Sequence, residues 1–110
     1  MKTILAFSIF CLACLDFSPM LQAQQFTQTI RGIVLHATTN EPLPGATIKV
    51  LDIEERIGAT SGVDGSFVLL AVPVGRRTVQ CTYTGFEDKV VILMLTSAKE
   101  AFLEIKIREG

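Results

Sequence analysis

Thr78-Val79-Gln80-Cys81-Thr82-Tyr83-Thr84 has the pattern of a β-strand with one apolar and one polar face. Its apolar residues stand at every second position, with threonine or glutamine between them. Because side chains two residues apart share a face of a strand, this pattern buries one side and leaves the other in water. Residues 46–50 and 103–108 repeat the alternation. The sequence therefore predicts a sheet protein rather than a helical one.

Two further runs, residues 66–70 and 89–95, are apolar almost without interruption. Such runs are typical of central strands or of strands packed on both faces. Residues 28–36 supply the first strand, and no segment after residue 23 shows a convincing helical pattern. The alternation assigns the core to inward-facing residues that include Ile48, Phe67, Leu69, Val79, Tyr83 and Ile105.

Turn-forming residues separate these runs at short intervals. Pro42-Leu43-Pro44-Gly45, Asp64-Gly65 and Pro73-Val74-Gly75 combine prolines that fix φ with glycines that accept positive φ. Short strands with a turn signal about every 8 to 12 residues indicate a sandwich or barrel. We predict an all-β domain, an antiparallel β-sandwich of about seven strands over residues 24–110.

The N-terminal segment has the layout of a secretory signal peptide. Lys2 is followed by an uncharged apolar run of roughly a dozen residues, whereas a membrane-spanning helix needs roughly 20. We predict a signal peptide over residues 1–23 with cleavage after Ala23. An uncleaved anchor or a buried helix is the alternative. A lipoprotein signal through Cys14 is disfavoured, because Cys11 stands where an aliphatic residue belongs.

Charge and cysteine content narrow the function. The chain has 10 basic and 11 acidic residues, and removal of Lys2 and Asp16 with the signal leaves 9 and 10, a net charge of −1. We see no basic patch that would release counterions from nucleic acid, so no nucleic-acid partner is expected. Cys81 is the one cysteine after residue 23, which excludes an intramolecular disulfide there. Its place in an apolar alternation predicts a buried thiol.

Residues 24–110 carry no recognisable catalytic, cofactor or metal motif. His36 is the single histidine and has no second ligand or base at a suitable spacing. Asp52, Glu54 and Glu55 form an acidic cluster, but they lack the ligand spacing of a calcium loop, and a solvated loop is expected. Asp64 precedes a glycine and is assigned to a turn. We expect no enzyme activity.

Five motifs in order resemble the carboxypeptidase regulatory-like domain, a transthyretin-like β-sandwich. They are Arg31-Gly32-Ile33-Val34, Glu41-Pro42-Leu43-Pro44-Gly45-Ala46-Thr47-Ile48, Asp64-Gly65-Ser66-Phe67, Val72-Pro73-Val74-Gly75 and Tyr83-Thr84-Gly85-Phe86. The sequence departs from the family pattern at Ser61-Gly62, where Thr-Asp is common, and so lacks one acidic side chain.

Directly after a signal peptide, such a domain is similar to the N-terminal extension of TonB-dependent outer-membrane receptors. The resemblance implies a non-enzymatic accessory domain in the periplasm, or on the periplasmic side of the outer membrane, with a protein partner in the cell envelope. Contact with the membrane is expected only through downstream domains, if the chain is part of such a receptor. A free-standing exported module is the alternative. Residues 101–108, with Glu, Lys and Arg on one face, are the expected edge strand for docking.

Two other classes of function resemble this architecture. A transthyretin-fold hydrolase of hydroxyisourate needs several His and Arg residues and a terminal Tyr-Arg-Gly-Ser, whereas this chain has one His and ends Ile107-Arg108-Glu109-Gly110. A carbohydrate-binding module of a glycan-utilisation system needs a line of exposed aromatic residues. Phe26 and Phe86 lie near turns and tryptophan is absent, so saturable sugar binding would be required to support that class.

Overall fold

A computed structural model describes residues 26–110 of the chain. They form seven strands, namely β1 (Thr27–His36), β2 (Thr47–Val50), β3 (Gly58–Thr60), β4 (Ser66–Pro73), β5 (Gly75–Thr82), β6 (Lys89–Leu95) and β7 (Ala101–Ile107). The predicted all-β fold of about seven strands is confirmed. The predicted signal peptide over residues 1–23 and its cleavage site lie outside the described residues. Within residues 26–110, no helix is long and apolar enough to cross a bilayer.

The strands form two sheets that pack face to face. The three-stranded sheet has the order β4-β1-β7, and the four-stranded sheet has the order β3-β2-β5-β6. Pairing is antiparallel except between β1 and β7, which run parallel from Ile30 opposite Ala101 to His36 opposite Ile107. The expectation of a wholly antiparallel sandwich is wrong for this one pair. The chain reaches β7 by crossing from the other sheet after β6, not by a hairpin from β1.

The core lies between the two sheets and follows the two-residue alternation. Five of the six predicted core residues are buried, and Tyr83 is half-buried. Tyr83 follows the last residue of β5, so its ring lies at the end of the sandwich, where it packs against Phe86 with ring centroids 5.1 Å apart. The buried core side chains are Ile30, Val34, Ala46, Ile48, Val50, Phe67, Leu69, Val72, Val79, Cys81, Leu95, Ile105 and Ile107.

The two continuously apolar strands, β4 and β6, are edge strands, and the prediction that they lie centrally or are covered on both faces is wrong. Each has a paired strand on one side only among residues 26–110. Their inward side chains belong to the core, whereas the outward ones are exposed. An uninterrupted apolar run does not distinguish a strand buried on both faces from an edge strand with an apolar outer face. The exposed side chains are Val68 and Leu70 on β4 and Val90, Ile92 and Met94 on β6.

Ser61 joins the loop before β2 to the end of β3. Its buried hydroxyl donates a hydrogen bond to the Leu43 carbonyl at 2.7 Å and accepts one from the Ala46 N–H at 2.8 Å. Both backbone groups lie next to the turn at Gly45, which has φ of 84°. One serine therefore satisfies two polar groups of the loop that leads into the second strand.

Candidate functional site

His36 lies at the end of β1, and both of its ring nitrogens have partners. Its Nδ1 is 3.1 Å from the Thr38 nitrogen and 3.3 Å from the Thr39 nitrogen, so it accepts from two backbone N–H groups. The proton of the neutral ring is therefore assigned to Nε2, which lies 3.3 Å from Glu109 Oε1. The ring also meets Phe86 edge to face at 5.5 Å. This geometry gives His36 the role of fixing the loop after β1.

The acidic cluster after β2 is divided between one structural carboxylate and exposed glutamates. Asp52 Oδ1 accepts a hydrogen bond from the Thr78 N–H at 3.1 Å, and Arg77 lies 3.7 Å from Oδ2. The Thr78 hydrogen bond is the main cause that lowers the pKa of Asp52. Glu54 and Glu55 are exposed. Asp52 thus anchors the loop to β5.

A groove of about 550 Å³ lies between this loop and β2. Val50, Ile53 and Ile57 give it apolar walls, and the other lining residues include charges of both signs. Among residues 26–110 no buried side-chain polar atom lacks a hydrogen-bond partner, so no such atom is held in the groove for a ligand. The same part of the chain contains no cluster of three His, Cys, Asp or Glu residues that could hold a metal ion.

Asp64 and Cys81 also occupy structural positions. Asp64 Oδ1 accepts from the Ser66 hydroxyl at 2.6 Å and the Ser66 N–H at 3.1 Å, and these bonds lower the pKa of Asp64. Gly65 follows with φ of 79°, as expected for a turn. The Cys81 side chain is buried, as predicted, and burial together with the nearby Asp88 raises the pKa of its thiol to about 11.

The remaining candidate surface consists of the outer sheet faces and their edges. On the three-stranded sheet, Phe102 of β7 is 68% exposed and lies beside Arg31 in the strand register. The charges there are paired, Arg31 with Glu100 at 2.8 Å and Lys106 with Glu104 at 3.7 Å. Residues 101–108 were predicted to contain an edge strand, and β7 (Ala101–Ile107) lies at the edge of its sheet.

On the four-stranded sheet, β6 exposes an apolar row. Val90 is 49%, Ile92 56% and Met94 68% exposed. These three outward side chains, hereafter the β6 row, lie beside Gln80, Thr78 and Arg76 of β5. The sequence analysis missed this surface because residues 89–95 were interpreted as central or covered. No local signal in residues 89–95 distinguishes an apolar strand at an edge from one covered on both faces.

These features define a small β-sandwich domain whose His, Asp and Cys side chains serve turns and core, and whose free surfaces are sheet faces and edges. A family model described as carboxypeptidase regulatory-like domain matches residues 29–108. The chain belongs to this family, which confirms the resemblance noted in its five motifs.

Solved structures share the fold. The TIE protein of Bacillus anthracis aligns with a TM-score of 0.64 and 20% identity, covering 76% of this chain and 17% of that chain. A chain of the type II cohesin–X–dockerin complex of Acetivibrio cellulolyticus aligns with a TM-score of 0.61 and 18% identity, covering 76% of this chain and 58% of that chain. This chain therefore spans only part of the length of both proteins.

The 5-hydroxyisourate hydrolase of Klebsiella pneumoniae aligns with a TM-score of 0.60 and 17% identity, covering 76% of this chain and 91% of that chain. At this identity the likeness shows the transthyretin-like fold. No curated protein matches the sequence.

Proposed function

We propose that this chain is a non-enzymatic, protein-binding domain of the cell envelope and forms the N-terminal periplasmic extension of a TonB-dependent outer-membrane receptor. The proposal that the domain binds a protein is supported mainly by the β6 row, which is exposed on an edge strand. A row of exposed apolar side chains on a small domain marks a surface for a partner. An edge strand adds unpaired backbone groups that can bind an extended segment.

The non-enzymatic part is supported by the surroundings of the titratable groups. His36 has both nitrogens engaged within the domain, and Asp64 accepts two hydrogen bonds inside its own turn. The Cys81 thiol is buried and has a raised pKa, the opposite of a reactive cysteine. A nucleophile paired with a base is the usual basis of acyl transfer, and these groups do not form one.

Export and the receptor context are supported by the sequence and by the family. Residues 1–23 have the three regions of a signal peptide, and the family match begins at residue 29, shortly after it. The likeness to a chain of a cohesin–X–dockerin complex is in keeping with a role for this fold in holding proteins together.

Export is tested by producing the full chain with a C-terminal tag in a Gram-negative host. The expected result is recovery from the periplasm as a species that begins at Gln24 by mass spectrometry. An unprocessed chain in the cytoplasm would contradict the proposal. A control with Ala23→Pro, which disfavours signal-peptidase cleavage, should accumulate the precursor.

Two experiments test the receptor context, namely sequencing of the DNA downstream of codon 110 and deletion of this domain from the receptor. A continuing reading frame that encodes a plug and a barrel is expected, and removal of residues 24–110 from that receptor should reduce uptake of its substrate. A stop codon at that point would exclude the receptor extension. Saturable binding of a sugar in calorimetric titration would instead favour the carbohydrate-binding module.

A further inference from the structure

The four edge strands differ in how they are protected against pairing with another chain. Natural sheets shield their edges with short strands, bulges, charged side chains or a covering segment. Three edges of this sandwich carry such a device. β3 has three residues, which is too short to hold an added strand firmly.

β4 carries a bulge. Its register with β1 shifts between Gln28 and Ile30, so that one extra residue stands on β4 at this point. Ala71, in the bulged segment, has φ of 55°, which bends the strand away from regular pairing. An incoming strand would lose its hydrogen-bond ladder here.

β7 is protected by charge and by coverage. Its outward residues Glu104 and Lys106 are 3.7 Å apart and keep water at the edge. Beyond its end, the Glu87 N–H donates to the Arg108 carbonyl at 2.9 Å, and the Gly110 N–H donates to the Gly85 carbonyl at 3.1 Å. The segment 85–87 thus occupies the continuation of this edge.

β6 has none of these devices along most of its length. Its seven residues pair with β5 in unbroken register, from Gly75 opposite Leu95 to Cys81 opposite Lys89. Lys89, its first residue, is the one charged residue in the strand. The outward β6 row and the inward Val91 and Leu93 make both faces apolar, which is typical of a strand with neighbours on both sides.

The charged residues that point outward within the strands of the four-stranded sheet are both basic. They are Lys49 on β2 and Arg76 on β5, because these positions alternate with inward ones. Within residues 26–110 neither lies within 4.0 Å of a carboxylate, in contrast to the paired charges on the three-stranded sheet. The Asp52 carboxylate, in the loop after β2, lies near Thr78 but is engaged by the Thr78 N–H at 3.1 Å and lies 3.7 Å from Arg77 Nη1. Arg76 lies directly beside Met94 in the register. A partner on this face is complementary if it is acidic.

We infer that β6 takes up, as a fifth strand, an extended segment of a partner protein that is apolar on one face and acidic beside Met94. This inference rests on the proposed protein-binding function and assigns its surface and partner chemistry. Two strand spacings place such an acidic residue about 10 Å from the backbone of Arg76, within the combined reach of both side chains. Lys49 lies farther away and adds attraction at longer range.

A second copy of this chain fits less well. Pairing β6 with β6 of another copy would extend the sheet, but it brings together two faces whose outward charges are both basic. An acidic strand removes that repulsion and supplies the counter-charge. The choice of an acidic segment therefore follows from the sign of the charges on this face.

The test uses the full chain after export and a labelled peptide, Glu-Val-Thr-Val-Thr-Val-Glu, in fluorescence anisotropy. When its seven residues pair with residues 88–94, the palindromic order places a glutamate beside Met94 whichever way the peptide runs. The matched control peptide has lysine in place of both glutamates. The acidic peptide should bind at least tenfold more tightly than the lysine peptide, and Arg76→Glu should reverse that preference.

Ile92→Ser removes the apolar side chain at the middle of the β6 row without adding a charge, and it should weaken the acidic peptide more than tenfold. The matched control is Phe102→Ser, which removes an equally prominent apolar side chain from the other sheet and should leave binding unchanged. Circular dichroism shows whether each variant keeps its strand content. Equal binding of both peptides, or binding that Ile92→Ser does not change, would overturn the inference.

Two further outcomes would also overturn it. Concentration-dependent dimers in sedimentation that Ile92→Ser abolishes would assign the edge to a second copy. Binding to phosphatidylglycerol vesicles without binding to the acidic peptide would assign the face to lipid. If the peptide fails while the receptor context is verified, the proposed function stands and its surface lies elsewhere.

Discussion

Gly32 and Phe67 face each other across the β1–β4 pair, and the phenyl ring occupies the space that a side chain at Gly32 would need. A Cβ built on Gly32 would overlap the Phe67 ring and the Leu103 carbonyl oxygen, which belongs to the neighbouring strand β7. The glycine is therefore required by packing and not by its own φ angle. The Phe67 ring packs over Gly32 in the three-stranded sheet, and it fits there only because glycine has no side chain.

Phe67→Ala should cost about 3 to 5 kcal/mol of unfolding free energy, because a buried ring is lost and its cavity is not refilled. Gly32→Ala should cost about 1 to 3 kcal/mol through overpacking. In the double variant the overlap with the ring is removed while the overlap with the Leu103 carbonyl remains. The cost of the double variant should therefore be smaller than the sum of the two single costs. Urea unfolding followed by circular dichroism measures all three. A melting temperature for Phe67→Ala within about 3 °C of the parent would contradict this packing.

Ser61→Ala should cost about 1 to 3 kcal/mol, because it leaves the Ala46 N–H and the Leu43 carbonyl without their buried partner. Ser97→Ala is the matched control, since Ser97 is exposed, and should change the unfolding free energy by less than about 0.5 kcal/mol. Equal stability of the two variants in urea unfolding would show that the Ser61 hydroxyl does not hold the loop.

Stability should fall with acid, and Asp52 should account for part of the loss. Its pKa in the folded chain lies below the usual value of 3.8, mainly because of the Thr78 hydrogen bond. A carboxyl with a lowered folded pKa stabilises the fold above its unfolded pKa, and this contribution disappears as the pH falls through the folded pKa. Between about pH 5 and about pH 2, Asp52→Asn should therefore lose less stability than the parent.

The control for this titration is Glu54→Gln, which removes an exposed carboxyl of the same loop and leaves the hydrogen bond between Asp52 and Thr78 in place. Asp64 also has a lowered pKa, so the Asp52 variant should keep part of the acid dependence. The free energy of unfolding is measured by urea unfolding across this pH range. If it depends on pH in the same way for the parent and for Asp52→Asn, Asp52 does not contribute to the acid sensitivity.

The Cys81 thiol should resist modification in the folded chain. Burial raises its pKa to about 11, so almost no thiolate forms near neutral pH, and the sulfur has no solvent access. A disulfide-exchange reagent should label it only in denaturant. Ser97→Cys provides an exposed thiol that should react at once under native conditions. Rapid labelling of the parent without denaturant would contradict the buried placement.

Much of this fold could be predicted from the sequence because alternation and turns are local signals. Val79, Cys81 and Ile105 lie inward, as their two-residue spacing requires. Sheet order is not local, so the same reasoning could not place β6 at an edge or show that β7 runs parallel to β1. The role of Ser61 was hidden for a similar reason, since its partners are 15 and 18 residues away in the chain.

The candidate surface was less predictable than the fold. The apolar character of residues 89–95 was recognised in the sequence. Whether their outward side chains are exposed depends on the order of the strands in the sheet, which the sequence pattern does not reveal. Lys49 and Arg76 indicate an acidic partner only once the pairing of β2 with β5 places both side chains on the same outer face. The edge strand predicted within residues 101–108 does lie at an edge, but the pairing of Glu104 with Lys106 shows that this edge is already protected by charge.

The parallel pairing of β1 with β7 gives the domain a mechanical property. The first residue of β1 and the last residue of β7 lie at opposite ends of the same sheet, because the register runs from Ile30 beside Ala101 to His36 beside Ile107. A pull applied between Thr27 and Ile107 loads these backbone hydrogen bonds in shear, all together, whereas a hairpin would open one bond at a time. Single-molecule stretching between these two residues should give a higher rupture force than stretching between Thr27 and Pro73, whose strands are antiparallel. A domain with this geometry resists tension along its length more strongly than one in which the loaded strands form a hairpin.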